Sequence, residues 1–187
     1  WEGYASYCNS QGRGGLAVHS AALIGHSTLR IYVLGAEAWE RASTDEERER
    51  IVAEMEAAMA AGCFGFSTSF FDTDRRARPV PSRRADRAEL EAMTDVLARN
   101  GAGFVEFIPN QSVEDPRQDL DLMAQILGPR GVPGTWNGLV VSKMAPEACA
   151  LLADHAEKQR AEGLEIYAQF SPRTLDMMVT WEQSLLF

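Results

Sequence analysis

In the run "LIGHSTLR" (Leu23 to Arg30) a glycine ends an apolar stretch, and a histidine, two hydroxyls and an arginine follow at once. An imidazole that titrates near neutrality can ligate a metal, take a proton or fix a loop by hydrogen bonding. Polar residues follow the later apolar runs in the same way: Ser67, Ser69 and Asp72, then Asn110, then Ser142 and Lys143, then Ser171 and Arg173. Between them the loop "DRRARPVPSRR" (Asp74 to Arg84) places five arginines in an acidic chain. Guanidinium pairs well with carboxylate, so the loop could draw in an anionic substrate, or its arginines could simply meet nearby acidic helices. From this set His26, Arg30, Ser67, Ser69, Arg84 and Lys143 are the substrate-binding candidates. No residue is assigned a catalytic role.

Metal chemistry finds little support. The histidines are His19, His26 and His155, and none belongs to a His-x-His or His-Glu-x-x-His pattern that aims two nitrogens at one ion. His19 and His26 are seven apart, so on a continuous strand they would face opposite sides. His155 falls beside Leu151 and Leu152 on a helical stripe, as a packing or surface residue. The expectation is that this chain alone binds no metal. His26 is expected mainly to hydrogen-bond and fix the loop after Gly25, with lining of a pocket as the alternative.

Nucleophiles are equally sparse. Cys8, Cys63 and Cys149 are widely spaced, with no Cys-x-x-Cys pair and no even count. Cys63 opens an apolar run beside Phe64 and Phe66, as a buried structural thiol does. "GFSTS" departs from the Gly-x-Ser-x-Gly elbow, because Ser69 stands where glycine is needed.

Composition narrows the class. The chain has 187 residues, 45% hydrophobic and 24% charged, with a net charge of -9. An acidic chain is poorly suited to neutralise phosphates, so no nucleic-acid partner is expected. No apolar run reaches the ~20 residues that span a bilayer, so no membrane partner is expected either. The cysteine usage fits a reducing cytoplasmic setting. The ends, "WEGYASY" and "WEQSLLF", are rich in residues that a domain normally buries, so the sequence is expected to be one internal segment of a longer protein.

The elements that must position these groups alternate in type. Four helices are expected, each closed by a glycine: one from Thr44 with Glu47 at capping-box spacing to Gly62, and one from Asp86 with Glu89 three residues on to Gly101. The others run from Asp115-Pro116 to Gly128-Pro129 and from Ala145-Pro146 to Gly163. Between them lie the apolar runs "LAVHSAALIG", "CFGFSTSF", "GFVEFIP", "GLVVS" and "LEIYAQF". Near-continuous apolar strands alternating with helices indicate an α/β fold with a parallel sheet. A doubly wound sheet and part of a (β/α)8 barrel both fit. No Gly-x-Gly-x-x-Gly follows the first strand, which weakens the dinucleotide fold. A partial (β/α)8 TIM-type barrel of about five parallel strands is the expected fold class. Its strand-end loops are where a site would form.

Three stretches, "AALIGHSTLRIYVLG", "AGCFGFSTSF" and "VPSRRADRAEL", resemble in order and spacing the middle of N-acyl-D-amino-acid deacylases, the D-aminoacylase branch of the amidohydrolases. The resemblance is strongest over residues 1–101 and continues collinearly through "QRAEGLEIYAQFSP". It implies a zinc-dependent barrel that hydrolyses the amide of an N-acyl-D-amino acid, with zinc belonging to the intact parent. The family usually has a histidine after the strands equivalent to "GFVEFIPN" and "GLVVSKM", and here neither is present. Glu106, Asn110, Ser142 and Lys143 occupy those neighbourhoods. The resemblance therefore implies a segment inactive alone, whose partners are a small-molecule substrate and the remainder of its own barrel, with open sheet edges able to associate. A non-catalytic carboxylate-binding barrel is the alternative.

Overall fold

The computed structural model describes residues 2–111, 113–139 and 146–170. Five strands are present there: β1 (Ile24–Gly25), β2 (Gly65–Ser69), β3 (Phe104–Ile108), β4 (Gly134–Asn137) and β5 (Ile166–Gln169). They form one parallel sheet in the order β1-β2-β3-β4-β5. Among the described residues the order never reverses, so they hold no switch point of the kind a doubly wound sheet requires. That reading is excluded, and the sheet is the singly wound kind from which a barrel is built.

The helices are α1 (Tyr4–Gly12), α2 (His26–Leu34), α3 (Asp45–Ala60), α4 (Arg87–Asn100), α5 (Gln118–Leu127) and α6 (Pro146–Ala161). The start of α3 follows from sequence chemistry. Thr44 accepts from the Glu47 amide and the Glu47 carboxylate accepts from the Thr44 amide, so two N–H groups that the first turn leaves unpaired are satisfied. Helix α4 ends at Gly101 in the left-handed conformation, which only glycine adopts freely.

One face of the sheet carries the core. Phe66, Val105, Phe107, Trp136 and Ile166 pack with Ile51 and Met55 of α3, Leu90 and Met93 of α4, Leu120 and Met123 of α5 and Leu152 of α6. Burial of these side chains is the main favourable term in folding. The alternate strand positions face the other way. Paired register runs Gly25, Ser67, Glu106, Thr135, Tyr167 across all five strands, a polar row on the face away from the core.

Three expectations about the elements change. The first strand was expected over Leu16–Gly25 but is only Ile24–Gly25; Leu16 and Val18 are exposed, and among the described residues no strand pairs with them. The chain after Gly25 is helix α2 instead of a loop, so the argument from strand faces for His19 and His26 does not apply. The fourth strand is "GTWN", ahead of the expected "GLVVS". Val140, Val141 and Ser142 of that run lie outside the described residues.

Gly65 is required where β2 meets β3. Its φ is +128°, and a Cβ there would stand 1.9 Å from the Phe104 carbonyl oxygen. Gly65→Ala is expected to destabilise the fold by at least about 2 kcal/mol, from backbone strain plus the forced separation of two strands. Urea denaturation reads the loss directly, and an unchanged midpoint would show that the two strands part without cost.

Candidate functional site

At the carboxyl ends of β1, β2 and β3 a cavity of about 350 Å³ opens. Its walls include His26, Ser27, Ser67, Ser69, Asp72 and Glu106. Strand pairing places Ser67 level with Glu106, while the turn after β2 is held by the Ser69 hydroxyl, which accepts from the amides of Phe71 at 3.2 Å and Asp72 at 2.9 Å. The Ser82 hydroxyl donates to the Ser69 carbonyl at 2.9 Å, and the Ser82 amide donates to the Ser27 hydroxyl at 3.0 Å. These bonds fix the loop that follows β2 against the start of α2. The Ser67 hydroxyl makes no hydrogen bond among the described residues and is available to a guest.

Behind this wall His26 is fully buried and both ring nitrogens are engaged. Nε2 lies 2.6 Å from the Glu89 carboxylate and Nδ1 lies 2.9 Å from the Thr68 hydroxyl. With Glu89 ionised, Nε2–H donates to the carboxylate, and Nδ1 is hydrogen-bonded with the Thr68 hydroxyl. The second Glu89 oxygen accepts from Arg30 at 2.5 Å, and the other arm of that guanidinium donates to the Arg41 carbonyl at 2.6 Å. Burial acts to raise the Glu89 pKa, but hydrogen bonds and charge from His26, with a hydrogen bond from Arg30, bring it down to about 2. Three elements, α2, β2 and α4, are thereby tied together beneath the cavity.

Glu89 was read in the sequence only by its spacing from Asp86. The Asp86 side chain does accept from the Glu89 amide at 2.9 Å, but the Glu89 carboxylate turns inward to His26 and Arg30. The signal that distinguishes it is a full charge beside Leu90, on the apolar stripe of the helix.

The candidate residues separate into three groups. His26, Ser67 and Ser69 line the cavity. Arg30 and Arg84 do not: Arg30 is buried against Glu89, and Arg84 is exposed with Nε donating to the Trp39 carbonyl at 3.0 Å. The position of Arg30 follows from helix geometry, because one turn along α2 from His26 it shares that residue's inward face and meets the same carboxylate. Lys143, like Ser142, Ser171 and Arg173, lies outside the described residues. Other arginines of the basic loop serve the loop itself: Arg78 pairs with Asp74 and stacks over Trp39, and Arg83 donates to the Phe71 carbonyl. Among the described residues no guanidinium or ammonium lines the cavity, whose hydroxyls and carboxylates instead suit O–H and N–H groups of a guest.

Among the described residues no three His, Cys, Asp or Glu side chains are gathered for a metal ion. His26 has no nitrogen to spare for one. A metal centre built from such side chains does not fit the described residues. His155 is the surface packing residue expected, 2.7 Å from Asp121 across α5 and α6. Cys63 is buried, as expected. No described helix is long and apolar enough to cross a membrane.

Comparison with known proteins gives the outline of the family. No protein-family model matches the chain. A curated D-aminoacylase of Alcaligenes xylosoxydans xylosoxydans is 34% identical over 101 residues, 54% of this chain. The chain resembles part of a D-aminoacylase. The match spans only 19% of that relative's length. Among solved structures, a D-aminoacylase described by its binuclear metal centre superposes with a TM-score of 0.71 at 23% identity, over 91% of this chain and 34% of its own. An N-acyl-D-glutamate deacylase from Bordetella bronchiseptica, complexed with zinc and a phosphonate inhibitor, superposes with a TM-score of 0.69 at 19% identity over the same shares. The D-aminoacylase-like chain therefore shares its fold, five parallel strands with their helices, with about a third of each of those structures.

Proposed function

We propose that the chain forms one wall of the active-site barrel of a D-aminoacylase-like amidohydrolase, which hydrolyses the C–N bond of an N-acyl amino acid or a similar small carboxylated amide. The observation that carries this reading is the 34% identity to a D-aminoacylase, in a chain whose strand-end cavity lies where barrel enzymes place their chemistry. Zinc and its ligands are supplied by other parts of the parent, and the segment alone is inactive. Association with the rest of the barrel, or with another copy, is supported by the polar row on the sheet face away from the core and by β1 and β5, the edge strands among the described residues. The setting is the cytoplasm.

Amine release from N-acetyl-D-amino acids, measured on the full reading frame and on residues 1–187 with zinc supplied to both, tests this. Turnover by the full-length protein and none by the segment is the expected result. Zinc-dependent turnover by the segment would refute its inactivity. Binding without turnover by a zinc-loaded full-length protein would favour the second reading, a non-catalytic carboxylate-binding barrel, to which the absence of a trio of His, Cys, Asp or Glu ligands among the described residues lends support.

A further inference from the structure

Between α5 and α6 the contact of His155 with Asp121 has a third member. His155 Nε2 lies 2.7 Å from Asp121 Oδ1, and Gln159 Nε2 lies 3.2 Å from that same oxygen and 3.2 Å from the same imidazole nitrogen. His155 and Gln159 are four apart on α6, so the helix sets them on one face, and Asp121 meets them from α5. Gln159 is only 5% exposed, yet its Oε1 has no hydrogen-bond partner among the described residues. The amide nitrogen is thus crowded beside the imidazole while the amide oxygen, a buried acceptor, goes unmet at a cost in stability. The three side chains border a cavity of about 490 Å³, which Lys158 and Glu162 also line with opposite charges.

We infer that His155, Asp121 and Gln159 form a site for one divalent transition-metal ion of the zinc class. Three atoms at these separations are spaced as metal ligands are, since an ion about 2.1 Å from each would sit roughly 1 Å out of their plane. The Gln159 amide has only to turn over, exchanging two ends of nearly equal shape, for Oε1 to stand where Nε2 now is. The unmet acceptor then becomes a ligand beside the carboxylate oxygen. The neutral imidazole carries its proton on Nδ1 and leaves Nε2 for the ion. An imidazole nitrogen in the set favours zinc, cobalt or nickel over magnesium or calcium, which take all-oxygen sites. The remaining positions on the ion face the cavity and are filled by water, and the bound ion ties α5 to α6. An amide among the ligands hides the site from any search for histidine, cysteine and carboxylate patterns. Asp121 is 34 positions from His155 along the chain, so no local spacing reveals it either.

The test titrates zinc chloride into the reduced chain of residues 1–187 and follows binding by calorimetry. One saturable site per chain is the expected result. His155→Ala is expected to weaken it by at least about tenfold, and Gln159→Leu, which keeps the buried volume, by about tenfold. Urea midpoints measured without zinc check that both variants fold. Labelling of the wild-type chain with diethyl pyrocarbonate, read by mass spectrometry, locates the ion independently of any variant: zinc should protect His155 and leave the exposed His19 labelled. The inference is overturned by the absence of saturable binding, by wild-type affinity in either variant, or by labelling of His155 that zinc leaves unchanged.

Discussion

Glu89→Ala is expected to lower the unfolding free energy by about 3–5 kcal/mol, because it leaves the buried Arg30 guanidinium without its counter-charge. Arg30 and Glu89 are both fully buried, so water cannot replace the lost partner. Equilibrium urea denaturation measures the loss. A variant in which His26, Arg30 and Glu89 become Leu, Met and Leu is expected to cost less than Glu89→Ala alone, since replacing a whole buried ion cluster by packed apolar groups is often near neutral. If the triple variant is the less stable of the two, the unpaired charge is not the cause.

The same carboxylate gives the fold an acid limb. Its pKa is about 2 in the folded chain against an ordinary 4.5, a depressed value. Its contribution to stability is therefore fully present above about pH 4.5 and is lost as the pH falls from there toward 2. Urea midpoints measured between pH 6 and 2 should fall less steeply for Glu89→Gln than for the parent. The slope that remains belongs in part to Glu47 and Asp115, which Arg41 and Arg117 also hold near 2. Equal slopes in the two proteins would mean that Glu89 is not ionised in the fold.

Trp136→Ala is the second substitution with a large expected effect. Trp136 is the largest fully buried side chain among the described residues and stands on β4 in the core. Its removal leaves a cavity that rigid strands cannot collapse, at a cost of about 3–5 kcal/mol. A domain of this size has a total stability of about 5–15 kcal/mol, so much of it would be lost. Trp136→Phe separates packing from polarity. The indole N–H is buried and has no hydrogen-bond partner among the described residues, so phenylalanine removes an unmet donor along with part of the ring. Its cost should be well below that of alanine, and equal losses would show that the N–H is not an unmet donor but makes a bond on which the core depends.

What was legible in the sequence was whatever local chemistry decides. Thr44 with Glu47 and the glycines after α3 and α4 are local signals, and the structure follows them. Helix α2 was hidden because its N-cap is Gly25, which has no side chain to announce it. The fourth strand was misplaced because "GTWN" sits among glycines and a proline that read as turn residues, while the more apolar "GLVVS" nearby drew the assignment. The site divides in the same way. The strand-end address of His26, Ser67 and Ser69 follows from periodicity. The Glu89 contact, 63 positions from His26 along the chain, depends on how α4 docks, which no local pattern encodes.

The unbroken strand order bears on how such a chain is made. Each strand pairs only with its neighbours in sequence, so every long-range contact of the sheet closes across a single intervening βα unit. Contact order stays modest for a sheet protein, and loop-closure entropy is met in small instalments. A ribosome delivering this chain from its N-terminus therefore hands over one dockable unit at a time, each resting on an edge already formed.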